Sequence, residues 1–302
     1  MATPSCPAPG PASILPHRRL HPAPTAMLEL EFTTHGRRWQ VDLSVPVDLA
    51  IPLEFPGPQP RFFAAEPARA DPLHAGTFTG AVSGGASCNC GVYTLAPHCH
   101  GTHTECVGHL TDDGTPVAGL TPVAPALALL LTVSPQPLGA TVPEAPGRHA
   151  PSDPVITRAL LANAAARHVC DPWTALVVRT LPNDPAKRRH VYEGGCPAPY
   201  FTVDAMRWVV ERSVSSLVVD LPSLDRADDG GVLAAHRTFW GLPLAARDAH
   251  QARRGRALVT EFAFVPETAR DGLYLLDLHV PAFGADAAPS RPVLYPLRET
   301  TP

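Results

Sequence analysis

A chain of 302 residues leaves one or two domains open, and its 45% hydrophobic content supplies ample apolar surface for a buried core. The formal net charge of -4, with no acidic or basic runs, excludes the field that draws nucleic acid or anionic lipid, so the expected partner is a small molecule. The 37 prolines, about twice the average usage, argue against a mostly helical fold.

Residues 1–26, with the run SCPAPGPASILPHRRLHPAP, lack a periodic apolar pattern and are expected to be a disordered Pro/Ala-rich lead-in, without the layout of a secretory signal. A single folded domain is expected over 27–302, and Met27 is a candidate initiator. Leu28 to Val45 reads as two alternating strands around a His-Gly turn. The apolar stretch near Val123 to Val133 is too short to cross a bilayer. Ser134 to Asp153 is polar and Pro-rich, a loop or an insertion within the domain and not a domain linker. A helix is expected next, with Asp153 as N-cap, Pro154 in the first turn, and Ile156, Leu160, Leu161 and Ala164 at helical spacing.

Ala175 to Val178 reads as a short strand. The glycine-rich loop at Glu193 reads either as a lining of the substrate opening or as a surface turn. Thr202 caps a second helix, Val203 to Arg212, with Val203, Met206 and Val210 on one face, leading into the apolar strand Ser216 to Asp220. Helix followed by buried strand, twice over, implies a sheet covered by helices. Trp208 and Trp240 are expected in the core, and Asp228-Asp229-Gly230-Gly231 reads as a turn.

Seven cysteines are an odd count, and Cys88, Cys90, Cys99 and Cys106 crowd one short stretch beside several histidines. That spacing is not a disulfide framework, so a reducing, cytoplasmic setting with free thiols is expected. Cys88 and Cys90 lack the C-x-x-C spacing of a zinc knuckle.

The decisive segment is APHCHGTHTECVGHL, Ala96 to Leu110. If it is extended, Cys99, His103 and Glu105 share one face and Gly101 leaves room for an ion, while His98 and His100 point away as ordinary surface or core histidines. Thiolate, imidazole and carboxylate are ligands that suit zinc, and a vacant coordination position would leave a water on the metal.

These residues resemble the metal-dependent cyclase family that includes bacterial kynurenine formamidase, whose signature reads H-x-G-T-H-x-D-x-P-x-H. Gly101, Thr102, His103 and His109 match it. Asp42-Leu43-Ser44-Val45-Pro46 is similar to the family's opening D-L-S-x-P, and Asp220-Leu221-Pro222-Ser223-Leu224-Asp225 to its D-x-P-S-x-D. The resemblance spans Leu28 to Leu297. The signature's first His falls on Cys99, its Asp on Glu105 and its Pro on Val107.

The resemblance implies an α/β fold of the swivelling β/β/α type, a sandwich or barrel-like sheet core flanked by helices, assembled as a homodimer or homotetramer. It implies a metal centre of Cys99, His103, Glu105, His236 and Glu261, holding one or two ions, Zn2+ or Mn2+, with zinc favoured by a Cys99 thiolate. Asp248 is the alternative acid to Glu261, and Asp225 is either an outer acid that orients a ligand histidine or a turn residue. Such a metal polarises a carbonyl and activates water, and His109 moves the protons. The implied reaction is hydrolysis of an amide, including N-formyl arylamines, or of a lactam or lactone. The rival is a non-catalytic protein whose metal site is closed and structural. No G-x-S-x-G elbow and no phosphate-loop or dinucleotide fingerprint is present.

Overall fold

The computed structural model describes residues 28–120, 124–139, 147–168, 173–192 and 198–300. The expectations for residues 1–26, Met27, Val123 and Glu193 lie outside the described residues. Glu29–Thr34 (β1) and Arg37–Asp42 (β2) pair antiparallel, Phe32 opposite Trp39, through the two-residue turn His35-Gly36. Both turn residues have positive φ, 49° and 75°, the conformation whose twist suits a tight hairpin.

This hairpin forms one end of an eleven-stranded mixed sheet. The further strands are β3 Val47–Asp48, β4 His103–Glu105, β5 Ala126–Val133, β6 Ala175–Thr180, β7 Ser216–Val219, β8 Leu258–Glu261, β9 Gly272–His279, β10 Ala287–Pro289 and β11 Arg291–Thr300. Their order is β1-β2-β11-β9-β5-β6-β7-β8-β4-β10, with β3 beside β11. The segment β5-β6-β7-β8 is parallel, and β4 runs antiparallel to β8.

The central parallel strands are apolar on both faces because both are buried. Leu129, Leu131, Leu176, Val178, Leu217 and Val219 pack against the helices α1 Arg158–Ala165, α2 Val203–Glu211 and α3 Ala234–Trp240. Alternate residues Ala128, Leu130, Ala175, Val177 and Val218 face a second cluster with Leu49, Tyr274 and Leu294. The architecture is therefore mixed α/β, a large sheet with few helices, as the resemblance implied. Trp208 and Trp240 are core residues, and the Trp240 indole donates to the Ala257 carbonyl at 2.8 Å.

Thr202 caps α2, accepting from the Ala205 amide. The first helix starts later than its sequence suggests. Pro154–Ile156 is extended, with Val155 and Ile156 paired to Tyr200 and Phe201, and Thr157 is the cap. Two β-branched, fully buried side chains favour strand here. The Asp153 carboxylate is instead engaged by the Ala150 amide, the Tyr200 hydroxyl and the Arg226 guanidinium. No helix among the described residues is long and apolar enough to cross a membrane.

Candidate metal centre and active site

The signature segment is not extended throughout. Pro97–Cys99 forms a single tight turn, and Gly101 takes a φ of 79°, so strict alternation begins only at β4. Gly101 thus serves the turn: a side chain there would be strained in the left-handed region. Thr102 stitches the turn to the sheet, donating to the Phe262 carbonyl and accepting from the Ile51 amide at 2.8 Å. In β4, His103 and Glu105 then share one face, while Thr104 lies on the other with its hydroxyl 2.7 Å from that of Thr260. The β4–β8 register sets Glu261 opposite His103.

His236 arrives from α3. Its Nδ1 lies 2.6 Å from Asp225 Oδ2, which leaves Nε2 facing the sheet residues. His103 Nδ1 lies 3.1 Å from the Gly101 carbonyl, which can only accept, so its Nε2 carries the lone pair. The D-x-P-S-x-D run builds the adjoining loop. Asp220 is buried and held by Thr180 and Lys187, and the Leu224 amide donates to Glu261 Oε1 at 2.8 Å.

The two glutamates straddle two positions. On one side, His236 Nε2 lies 3.0 Å from Glu105 Oε1 and 3.3 Å from Glu261 Oε1. On the other, His103 Nε2 lies 3.9 Å from Glu105 Oε2 and 3.5 Å from Glu261 Oε2. All four residues are at least 97% buried. Although close, His103 Nε2, His236 Nε2 and both Glu105 oxygens form no hydrogen bond of acceptable angle. Buried polar atoms without partners are costly, and here they aim at shared points between them, as ligands around a cation do.

The electrostatics agree. Burial would raise Glu105, but the His109 and His236 charges, with the His236 and His98 imidazoles close against its oxygens, hold it well below the usual carboxylate range. Burial would lower His236, yet Glu105, Asp225 and Glu261 raise it well above the ordinary imidazole value. The carboxylates and imidazoles of the cluster thus stabilise one another's charge. A cavity of about 340 Å³, lined by Phe62, Phe63, His98, His109, His236 and Glu261, opens directly onto it.

A family model described as "Putative cyclase" matches residues 41–226. The chain belongs to the cyclase family. None of the curated proteins matches its sequence. Among solved structures, it is similar to isatin hydrolase A from Ralstonia solanacearum at 16% identity and a TM-score of 0.54, covering 83% of this chain and 91% of that one. A predicted metal-dependent hydrolase from Bacillus stearothermophilus is similar at 14% identity and a TM-score of 0.51, covering 83% and 98%. Isatin hydrolase A from Labrenzia aggregata, bound to benzyl benzoate, gives 13%, 0.54, 83% and 93%. These likenesses establish the fold.

For this cyclase-family chain, the structure brings together four of the five sequence-derived ligand candidates: His103, Glu105, His236 and Glu261. It does not bring Cys99. Among the described residues, Cys99 joins no cluster of ligand atoms, and burial pushes its thiol up. The turn at Pro97–Cys99 explains this, because it breaks the alternation on which Cys99 was placed.

His98, expected to point away, is brought in by the same turn. Its Nδ1 lies 2.8 Å from Glu105 Oε2 and its Nε2 2.8 Å from Asp286 Oδ2. Burial opposes its protonation, but the Asp286 and Glu105 carboxylates against its two nitrogens outweigh this and raise it to about 10. His109 stacks on His98 with ring centres 4.2 Å apart, and its Nδ1 lies 3.6 Å from Asp286. Asp248, the alternative acid, instead caps the turn at Ala249–Gln251.

Asp225 orients His236 while also serving its loop, and Asp229 forms the expected turn by accepting from the Gly231, Val232 and Leu233 amides. Asp286 carried no sequence signal. It sits between two alanines in no motif, and only the pairing of β10 with β4, Ala287 opposite Glu105, delivers it.

Proposed function

We propose that this chain is a metal-dependent hydrolase acting on a carbon-nitrogen bond other than a peptide bond, in a small amide or lactam. One observation carries the reading: buried imidazole and carboxylate atoms without hydrogen-bond partners, from His103 and Glu105 in one strand and His236 in α3, converge beside the buried Glu261 at the floor of an open cavity. Those residues fit a divalent cation, with His103, Glu105, His236 and Glu261 as its holders. With Cys99 outside the cluster the donors are imidazole and carboxylate, which suit zinc and manganese alike. Zinc is our first reading, and the paired glutamate oxygens leave room for one ion or two.

A divalent cation in this place supplies Lewis acidity toward a carbonyl oxygen and lowers the pKa of water. The chain's own residues do the rest. Asp225 and the Gly101 carbonyl fix the tautomers of His236 and His103, keeping a lone pair directed inward. Burial of both glutamates excludes competing water. His109, on the cavity wall and outside the four holders, takes and returns the proton at its ring. Phe62 and Phe63 offer an apolar wall for the organic part of a substrate.

The fold neighbours named isatin hydrolase favour a cyclic amide, beside N-formyl arylamines and lactones as further candidates. The resemblance supports a homodimer or homotetramer, and free thiols support a cytoplasmic setting. The cavity weighs against the rival closed structural site.

Elemental analysis of the purified chain, with hydrolysis assays on N-formyl arylamides, lactams and lactones before and after chelation, tests this reading. Activity on one class should vanish on chelation and return with zinc or manganese. Turnover indifferent to chelation would refute metal dependence, and a tightly held ion with no turnover on any class would establish the closed site.

A further inference from the structure

We infer that His98, backed by Asp286, is a cation ligand of this centre, in the place that the linear signature gives to Cys99. The inference rests on the metal-centre reading above and adds to it one ligand and one positioning carboxylate.

His236 sets the pattern. One of its nitrogens is pinned by a carboxylate, Asp225, at 2.6 Å, and the other faces Glu105 Oε1 at 3.0 Å. His98 repeats this arrangement on the opposite side of the same glutamate. Its Nε2 is pinned by Asp286 at 2.8 Å, and its Nδ1 faces Glu105 Oε2 at 2.8 Å. A carboxylate at the far nitrogen keeps the proton there and leaves the near lone pair for a cation. Ligand atoms of His98, His103 and Glu105 all lie within 4.8 Å of one another, as do those of Glu105, His236 and Glu261. Glu105 thus has a carboxylate-backed imidazole on each side.

The backbone accounts for the exchange of position 99 for 98. The Pro97–Cys99 turn and the left-handed Gly101 rotate the chain so that His98 reaches the face continued by His103 and Glu105. Asp286 precedes β10, whose Ala287 pairs with Glu105, and the Cys106 amide donates to the Asp286 carbonyl at 3.0 Å. Both ends of the pair are therefore held by the sheet that carries the centre. The competing account is that His98 merely ties Glu105 to Asp286 as an imidazolium, and then its removal leaves cation binding intact.

The test uses the full chain stripped of metal and titrated with Zn2+ against a chromophoric chelator, with bound zinc counted by elemental analysis and folding followed by circular dichroism. His98→Ala should lose about one zinc per chain, or bind it at least about tenfold more weakly. Asp286→Asn should weaken binding by about 10- to 100-fold. Cys99→Ser should bind as the wild type does. His98→Gln replaces His98→Ala if the latter fails to fold. Wild-type zinc binding by the His98 variant, or zinc loss in Cys99→Ser, overturns the inference while leaving the metal centre standing. A wild-type chain that binds no zinc overturns both.

Discussion

The Asp225 carboxylate holds His236 in two ways at once: Oδ2 meets the imidazole Nδ1 at 2.6 Å, and the two oxygens accept the amides of Ala235 and His236 at 2.7 and 3.0 Å where α3 begins. One acid thus sets both the start of the helix and the tautomer of its first functional side chain. Asp225→Asn keeps an acceptor for the helix but loses the charge that fixes the ring proton. It should stay folded and bind zinc about 10- to 100-fold more weakly. A chelator-competition titration beside a thermal melt checks this, and unchanged affinity would show the contact to be only a cap.

His109 lies at the cavity rather than among the four buried holders, its side chain about a quarter exposed. His109→Ala should therefore retain the metal and lose turnover by about 10²- to 10⁴-fold, the usual contribution of a positioned acid-base group. Full activity in a variant of unchanged metal content would remove His109 from the mechanism.

Gly108, the residue before it, has no room for a side chain. A Cβ there would lie 2.1 Å from the Thr115 carbonyl oxygen, a backbone atom that cannot yield cheaply. Gly108→Ala must shift the turn Val107–Leu110 that carries His109. The expected result is a lower kcat with metal content preserved, together with a reduced melting temperature. A variant identical to wild type in both respects would show that this turn tolerates displacement.

Asp113 fastens the loop after His109. Its carboxyl is lowered to about 2 by the Ala249 amide and by hydrogen bonds from Thr115 and Thr111, against a small opposing burial effect. A depressed carboxyl stabilises the fold fully above its unfolded value near 4, and that contribution disappears as pH falls toward 2. Asp113→Asn should be less stable than wild type at neutral pH, with the gap closing below about pH 4. Urea unfolding at several pH values reads this, and a gap independent of pH would assign the effect to something other than the charge.

Much of this was legible in the linear chain because it is local. The His35-Gly36 turn, the Thr202 cap and the doubly apolar β6 and β7 each follow from dihedral preference, a hydrogen bond within a few residues, or side-chain period. The spacing of Gly101, Thr102, His103 and His109 likewise carried the family resemblance, and with it His236 and Glu261. Asp153 misled because its capping pattern is genuine but its carboxylate found Tyr200 and Arg226, partners far along the chain.

Which ligand types exist, and that His103 and Glu105 share a face, the amino-acid order determines by itself, since a strand's period is a property of the backbone. Whether His98 or Cys99 enters the centre, and which distant acid stands behind it, was decided only by folding. The turn at Pro97–Cys99 and the left-handed Gly101 set a direction that no periodicity encodes, and the pairing of β4 with β8 and β10 brings Glu261 and Asp286 from more than 150 residues away. Side-chain convergence depends on sheet register and turn dihedrals together, and those are fixed by the packing of the whole molecule.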